Sequence, residues 1–299
     1  MIVNQQNLQI LFQGFKGNFQ RGFGQHEPQW NRVATRVSSS TRENKYGWLG
    51  QVPNVREWLG DRHVQNLEQH DYTIRNKRFE LTVGVSVDDI SDDQYGVYGP
   101  MMEEMGRSVA AHPDQLVFSL LKRGFSELAY DGQYFFDTDH PVLDADGNET
   151  SVANTDGGSG TPWFLIDPNR PLKPLLYQER EPFEFTRLDA PNDAPRFWQN
   201  QAIYGTTGRS NVGFGFWQFA WGSKQDLTKA NYGNARSKLM AMTGDYGRPI
   251  GVMPRLLVVP PELEQEGLEI LNAERDSSGA TNVYKGTAEL LVVPWLSAA

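Results

Sequence analysis

Leu8, Leu11, Phe12, Phe15, Phe19 and Phe23 recur at spacings of three and four, which predicts a helix over residues 8–23 with one apolar face. Gly14 and Gly17 interrupt it, each costing roughly 1 kcal/mol against alanine, so such a helix persists only where its stripe is docked. The docking partner is either the same chain or a neighbouring one. Further on, Phe79 to Val87 alternates strictly between apolar and small or polar residues, the pattern of a half-buried strand. The stretch before it, Lys45 to Arg78, mixes both charge signs with few core-forming residues and reads as a long hairpin reaching into solvent.

Helical spacing returns at Met101, Met102, Met105, Val109, Leu116, Val117, Leu120 and Leu121, and stops at Gly124. Asp88, Asp89, Asp92 and Asp93 precede it and suit the positive end of a helix, with Ser91 or Asp92 as a cap. Pro113 removes one backbone bond inside this pattern, which predicts a kink or a restart near residues 112–114. Residues 130–160 are rich in Asp-Gly and Gly-Ser turns and read as an exposed loop region. Strand patterns follow at 163–166, 175–177, 183–185 and 212–221. A helix over 227–242, a buried strand at 256–259, a helix over 262–273 and a closing strand at 289–293 make a terminal α/β lobe.

Composition narrows the function classes. The 299 residues contain no cysteine, which removes disulfide frameworks, thiol nucleophiles and cysteine-ligated metals. Counting glycine and leaving out tyrosine, roughly 44% of residues are apolar, slightly under the ~45–50% of ordinary globular chains. No run is long and apolar enough for a membrane helix, and the first twenty residues lack the charged start of a signal peptide. The net charge of −9 is uneven. Residues 1–45 carry about +4, and the remainder about −13, so a mildly basic arm precedes an acidic body.

Candidate chemistry is sparse. Asp137, Asp139 and His140 bring two carboxylates and an imidazole within four residues, ligand types a metal accepts, but turn-type hydrogen bonding explains the aspartates equally well. Asp144 opens a stretch like a calcium loop, yet the twelfth position is Thr155 where a bidentate Glu is required. Glu179, Glu181 and Glu184 are acid/base types on a charged, proline-interrupted segment that reads as a solvated edge. No dinucleotide loop, phosphate loop or nucleophile elbow is present, and no cofactor is indicated. Basic residues interleaved with aromatics occur only between Lys16 and Arg42, too thinly for a dedicated nucleic-acid binder.

A whole-chain resemblance is carried by ordered segments: Ser39-Ser-Thr-Arg42, Tyr46-Gly-Trp-Leu-Gly50, Glu57-Trp58, Asn76-Lys77, Phe79-Glu80 and Asp88-Asp89. It continues through Glu104-Met-Gly-Arg-Ser108, Pro113-Asp114, Leu120-Leu-Lys122, Tyr130-Asp-Gly-Gln133, His140-Pro-Val142, Arg170, Lys173-Pro174, Gln178-Glu-Arg180, Gly215-Phe-Trp-Gln218 and Val258-Val-Pro260. In these the chain resembles the major head subunits, gpT, of Mu-like phages. That resemblance implies the α+β Hong-Kong-97-type capsid fold, with an N-terminal arm at 1–45 and an extended loop at 46–72. It also implies a peripheral domain at 73–225 containing a spine helix at 97–123, and an axial domain at 226–299.

The function implied is assembly as pentamers and hexamers into an icosahedral head that encloses double-stranded DNA, in a virion put together in the host cytoplasm. Other copies of the chain, a scaffolding protein, a portal and a decoration protein are the implied partners; no membrane, metal or cofactor is. Expected inter-subunit anchors are Phe15, Phe19, Trp48, Arg56, Trp58, Arg62 and Arg75, because aromatic and arginine side chains carry a large share of interface energy. The alternatives are a small-oligomer metal-dependent hydrolase using Asp137, Asp139 and His140, and a tube or sheath subunit that forms open filaments.

Overall fold

The computed structural model describes residues 3–47, 49, 72–92, 94–275 and 279–297. Helix α1 (Gln5–Gln25) opens the chain, capped by Asn4, whose side chain accepts from the Asn7 amide at 2.8 Å. Strands β1 (Ala34–Ser38), β2 (Glu43–Lys45), β3 (Thr73–Arg75) and β4 (Lys77–Ser86) follow, then α2 (Val87–Ser91) and the long α3 (Tyr98–Arg123). Next come β5 (His140–Leu143), β6 (Glu149–Val152), β7 (Thr155–Gly158), β8 (Trp163–Ile166), β9 (Leu175–Leu188), α4 (Ala194–Gln199), β10 (Gln201–Phe214) and β11 (Ala220–Lys224). The chain closes with α5 (Lys229–Met240), β12 (Thr243–Gly244), β13 (Arg248–Pro249), β14 (Leu256–Val259), α6 (Glu264–Leu271) and β15 (Glu289–Val292).

Two sheets organise these elements. One has the order β1-β9-β10-β4, antiparallel except where β1 runs parallel to the start of β9. Its inner face carries Phe183, Phe185, Tyr204, Leu81, Val83 and Val85, and against it lie α1 and α3 in a core of their own. The second sheet has the order β15-β14-β8-β11-β7. Both β8 and β14 are buried along their whole length, as their unbroken apolar sequences require. The expected boundary at 225/226 therefore cuts through a sheet: β7, β8 and β11 precede it, β14 and β15 follow it, and all five share one ladder.

The apolar stripe of α1 is satisfied inside the chain. Leu8, Leu11, Phe15 and Phe19 are buried with Met102, Met105 and Val109 of α3 and with Tyr204 of β10. Phe15 meets the Tyr204 ring edge-on at 5.1 Å, and Phe19 stacks on Phe185 at 4.9 Å. This corrects the assignment of Phe15 and Phe19 to a neighbouring subunit: both hold the arm to its own chain. The arm expected at 1–45 is also less separate than its charge suggests, since β1 is a strand of the main sheet.

Four further expectations change. Helix α3 continues through Pro113 without a restart; within a 26-residue helix packed on both α1 and the sheet, one missing backbone bond does not break it. The aromatic run 212–221 is not one strand, because Gly215 turns the chain from the first sheet to the second. A Cβ there would lie 2.7 Å from the Lys173 carbonyl oxygen, an approach only glycine allows. The segments 175–177 and 183–185 join into the single strand β9, where Pro182 is accommodated in a bulge of β9 itself, Pro182 and Phe183 together facing Gly208 of β10. Finally, the region 130–160 is only partly open loop: it contributes β5, β6 and β7, and His140 and Asn154 within it are fully buried.

Candidate functional site

The base of the predicted hairpin is an antiparallel ladder in which Glu43, Asn44 and Lys45 face Arg75, Ile74 and Thr73. It is bolted to the first sheet by polar groups inside the core. Gln178, fully buried on β9, donates from Nε2 to the Ile74 carbonyl at 3.1 Å and to Asn76 Oδ1 at 2.8 Å, and accepts from the Tyr46 hydroxyl at 2.6 Å. Asn76 in turn donates to Ser39 Oγ and to the Thr41 carbonyl, both at 2.9 Å. Tyr72 accepts from the Phe214 amide at 2.7 Å, and Asn211 donates to the Arg75 carbonyl at 2.7 Å. Buried amides whose bonds are all made specify one geometry, so the β2–β3 ladder is held in a fixed place on the sheet.

Burial pushes the phenols of Tyr46 and Tyr72 up from 10 to about 12, although hydrogen bonds from Asn44 and from the Phe214 amide pull the other way. The folded state thus favours the neutral phenol. Its contribution is complete below pH 10 and is lost as pH rises from 10 towards 12. Stability to urea is expected to fall across that window, and a flat profile between pH 10 and 12 would contradict the burial of these groups.

A second organised feature is the seam between α1 and α3. A Cβ on Gly22 would lie 1.8 Å from the Glu103 carbonyl oxygen, and one on Gly106 would lie 2.0 Å from that of Phe19. The two helices therefore touch backbone to backbone. Where α1 ends, the buried carboxylate of Asp114 on α3 clamps the exit segment. Oδ1 accepts from the amides of Gln29 at 3.0 Å and Trp30 at 2.6 Å, and Oδ2 lies 2.5 Å from His26 Nε2. Arg187 holds the other end, donating to the Leu8 carbonyl at 3.3 Å with its guanidinium 4.5 Å from the Phe12 ring centroid.

The residues of the hydrolase alternative do not converge. His140 is 0% exposed, stacked on Trp217 at 3.9 Å, with Nδ1 2.7 Å from Asp131 and Nε2 3.2 Å from Asn154. Asp137 accepts from the Thr138 and Tyr134 amides, and Asp139 accepts from Ser151. All three side chains hold turns and strands together, and among the described residues no group of three His, Asp or Glu side chains is placed to hold a metal. Glu179 pairs with Arg36, while Glu181 lies among Arg78, Arg180 and Arg209; β1 pairs with β9 only as far as Glu179, so Glu181 and the exposed Glu184 lie on the part of β9 bonded on one side alone.

Of the expected interface anchors, Arg75 is exposed on β3 at the loop base. Trp48, Arg56, Trp58 and Arg62 lie outside the described residues. Gln178, Asp114, Gly22 and Gly106 were not singled out as site residues. The available signals were a lone amide after the apolar run Leu175–Tyr177 and an acid on the otherwise apolar face of α3.

Comparison with known proteins places this geometry. The family profile described as Mu-like prophage major head subunit gpT matches residues 8–296. The major capsid protein of Escherichia phage Mu is 41% identical over 305 aligned residues, covering 99% of this chain and 100% of that one. The Mu-like prophage FluMu major head subunit of Haemophilus influenzae is 40% identical, with 96% of each chain covered. Among solved structures, the procapsid of bacteriophage JBD30 superimposes with a TM-score of 0.88 at 42% identity, covering 98% of this chain and all of that one. The JBD30 capsid gives 0.78 at 32% identity, with 91% and 92% covered.

Proposed function

The chain belongs to the Mu-like prophage major head subunit gpT family, and from that premise we propose that it builds its shell from pentamers and hexamers and encloses double-stranded DNA. It is a major capsid protein of a Mu-like phage and a component of the virion, with the Hong-Kong-97-type α+β fold. One observation carries the reading: the likeness to capsid subunits extends over almost the whole chain. The role is assembly rather than catalysis, which fits a His140 enclosed between Trp217, Asp131 and Asn154.

Closed shells need heterologous contacts that return on themselves. The fixed loop base supports a loop, residues 46–72, that spreads onto an adjacent subunit, with Trp48, Arg56, Trp58, Arg62 and Arg75 as its anchors. The negative body lets packaged DNA slide, while the basic arm offers light contact. A scaffolding protein and a portal complete the assembly in the host cytoplasm. A decoration protein is a further partner by analogy with the JBD30 capsid, which carries minor capsid protein trimers. The test is electron microscopy of the expressed chain, with and without its scaffolding protein. Closed shells, or free pentamers and hexamers, are expected; open helical tubes or only a small discrete oligomer would overturn the reading.

A further inference from the structure

The connection between β9 and β10, residues 189–200, carries a six-residue helix, α4, in which no residue is buried. Phe197 and Trp198 stand on it 76% and 78% exposed, the highest exposure of any aromatic side chains among the described residues. Hydrophobic side chains exposed singly need no explanation, but two adjacent aromatics on one small element do. Leu188, at the end of β9 on the same connection, is also exposed.

The display is rigid. Pro195 sets the first turn of α4, and Asn200 ends it in the left-handed region at φ 51°, its amide directed to the Arg196 and Pro195 carbonyls. Asp193 accepts from the Ala190 amide at 2.8 Å, Arg196 donates to the Asp189 carbonyl at 3.3 Å, and the Asn200 carbonyl accepts from Val87 at 3.0 Å. The two rings meet edge-on at 5.0 Å and 87°, each restricting the other. Little conformational entropy is left to lose on contact, the condition under which aromatic side chains act as anchors.

We propose that Phe197 and Trp198 form an apolar anchor that inserts into a second copy of this chain in the assembled shell. The inference rests on the capsid reading. Charge argues for this occupant over nucleic acid: from Arg187 to Asn200 the charges are Arg187, Asp189, Asp193 and Arg196, which cancel and leave nothing to attract phosphate. Area argues for the lattice over a free dimer. Two aromatics and a leucine offer on the order of 400–600 Å², short of the ~800 Å² per partner that a stable pair needs. Such a contact holds only where many copies are fixed together, as in a closed shell.

Two measurements on assembled particles test this. In the first, Phe197→Ser/Trp198→Ser is compared with Val283→Ser, a change at another exposed apolar residue. The double variant is expected to melt within a few degrees of wild type as a free subunit while its yield of closed shells falls at least tenfold; Val283→Ser is expected to assemble normally. Wild-type yield from the double variant would overturn the anchor. In the second, a photo-crosslinking phenylalanine analogue is placed at position 197 and the crosslinked peptides are identified. Peptides from another copy of this chain support the proposal, whereas crosslinks only to DNA or to a different protein overturn it. Wild-type shells in the same preparation establish the capsid reading separately, so failure of one is distinguishable from failure of the other.

Discussion

Gly106→Ala is expected to detach the arm helix from the spine helix and to cost about 3 kcal/mol or more. The added Cβ would lie 2.0 Å from the Phe19 carbonyl oxygen and 2.8 Å from the Phe23 amide, both backbone atoms of α1. A rotamer change cannot relieve such contacts, so one helix must move. Ordinary overpacking costs ~1–3 kcal/mol, and here the shift also loosens Leu8, Leu11, Phe15 and Phe19, each worth ~1.5–3 kcal/mol when fully buried. Gly22→Ala meets the Glu103 carbonyl from the other side and should behave alike. Gly17→Ala is the control: no atom lies within 4 Å of its Cβ position, so helix propensity alone acts and stabilises by up to about 1 kcal/mol. Thermal melting together with tryptic cleavage at Lys16 and Arg21 reads both effects. Equal protection of the arm in Gly106→Ala and Gly17→Ala would refute a backbone-to-backbone seam.

Asp114→Ala is expected to be nearly as damaging, at about 3–5 kcal/mol. Its carboxylate is 1% exposed and accepts from two backbone amides of the arm exit and faces His26. Removing it leaves two backbone amides and His26 without their partner at a part-buried site, and the loss of one side of such a polar cluster costs far more than the cluster contributes net. Asp114→Asn keeps one acceptor oxygen for the Gln29 and Trp30 amides but turns a donor towards His26, so a loss of about 1–3 kcal/mol is expected. Denaturant unfolding of the two variants separates the contributions. Equal losses would mean that the His26 contact, and not the amide clamp, carries the effect.

How much of this was legible in the chain differs element by element. The stripe from Leu8 to Phe23 identified α1 because helical periodicity is a local property, yet it left its partner open. The partner was set by Gly22 and Gly106, residues 84 positions apart whose missing side chains signal nothing until the helices are laid together. The spine helix was read to within a residue at both ends, whereas the expected restart at Pro113 failed because packing on both sides outweighs one absent hydrogen bond. His140, Asp137 and Asp139 looked like chemistry because proximity in sequence mimics a site. The fold directs the three side chains to separate partners.

By itself the sequence determined the elements whose cause is local: the helices from their 3.6-residue period, the strands from alternation, the turns from Gly, Pro and Asp. It also determined the family, because ordered segments along the whole length are jointly specific. Only the tertiary structure decided which strands share a sheet, that strands from both sides of 225/226 pair in one ladder, that the arm is held by its own chain, and that Phe197 and Trp198 face outward. These depend on long-range pairing and on the space between backbones. A glycine, an amide or an aromatic has the same local signature whether its neighbours leave it buried or exposed, so the distinction exists only once the fold has brought those neighbours together.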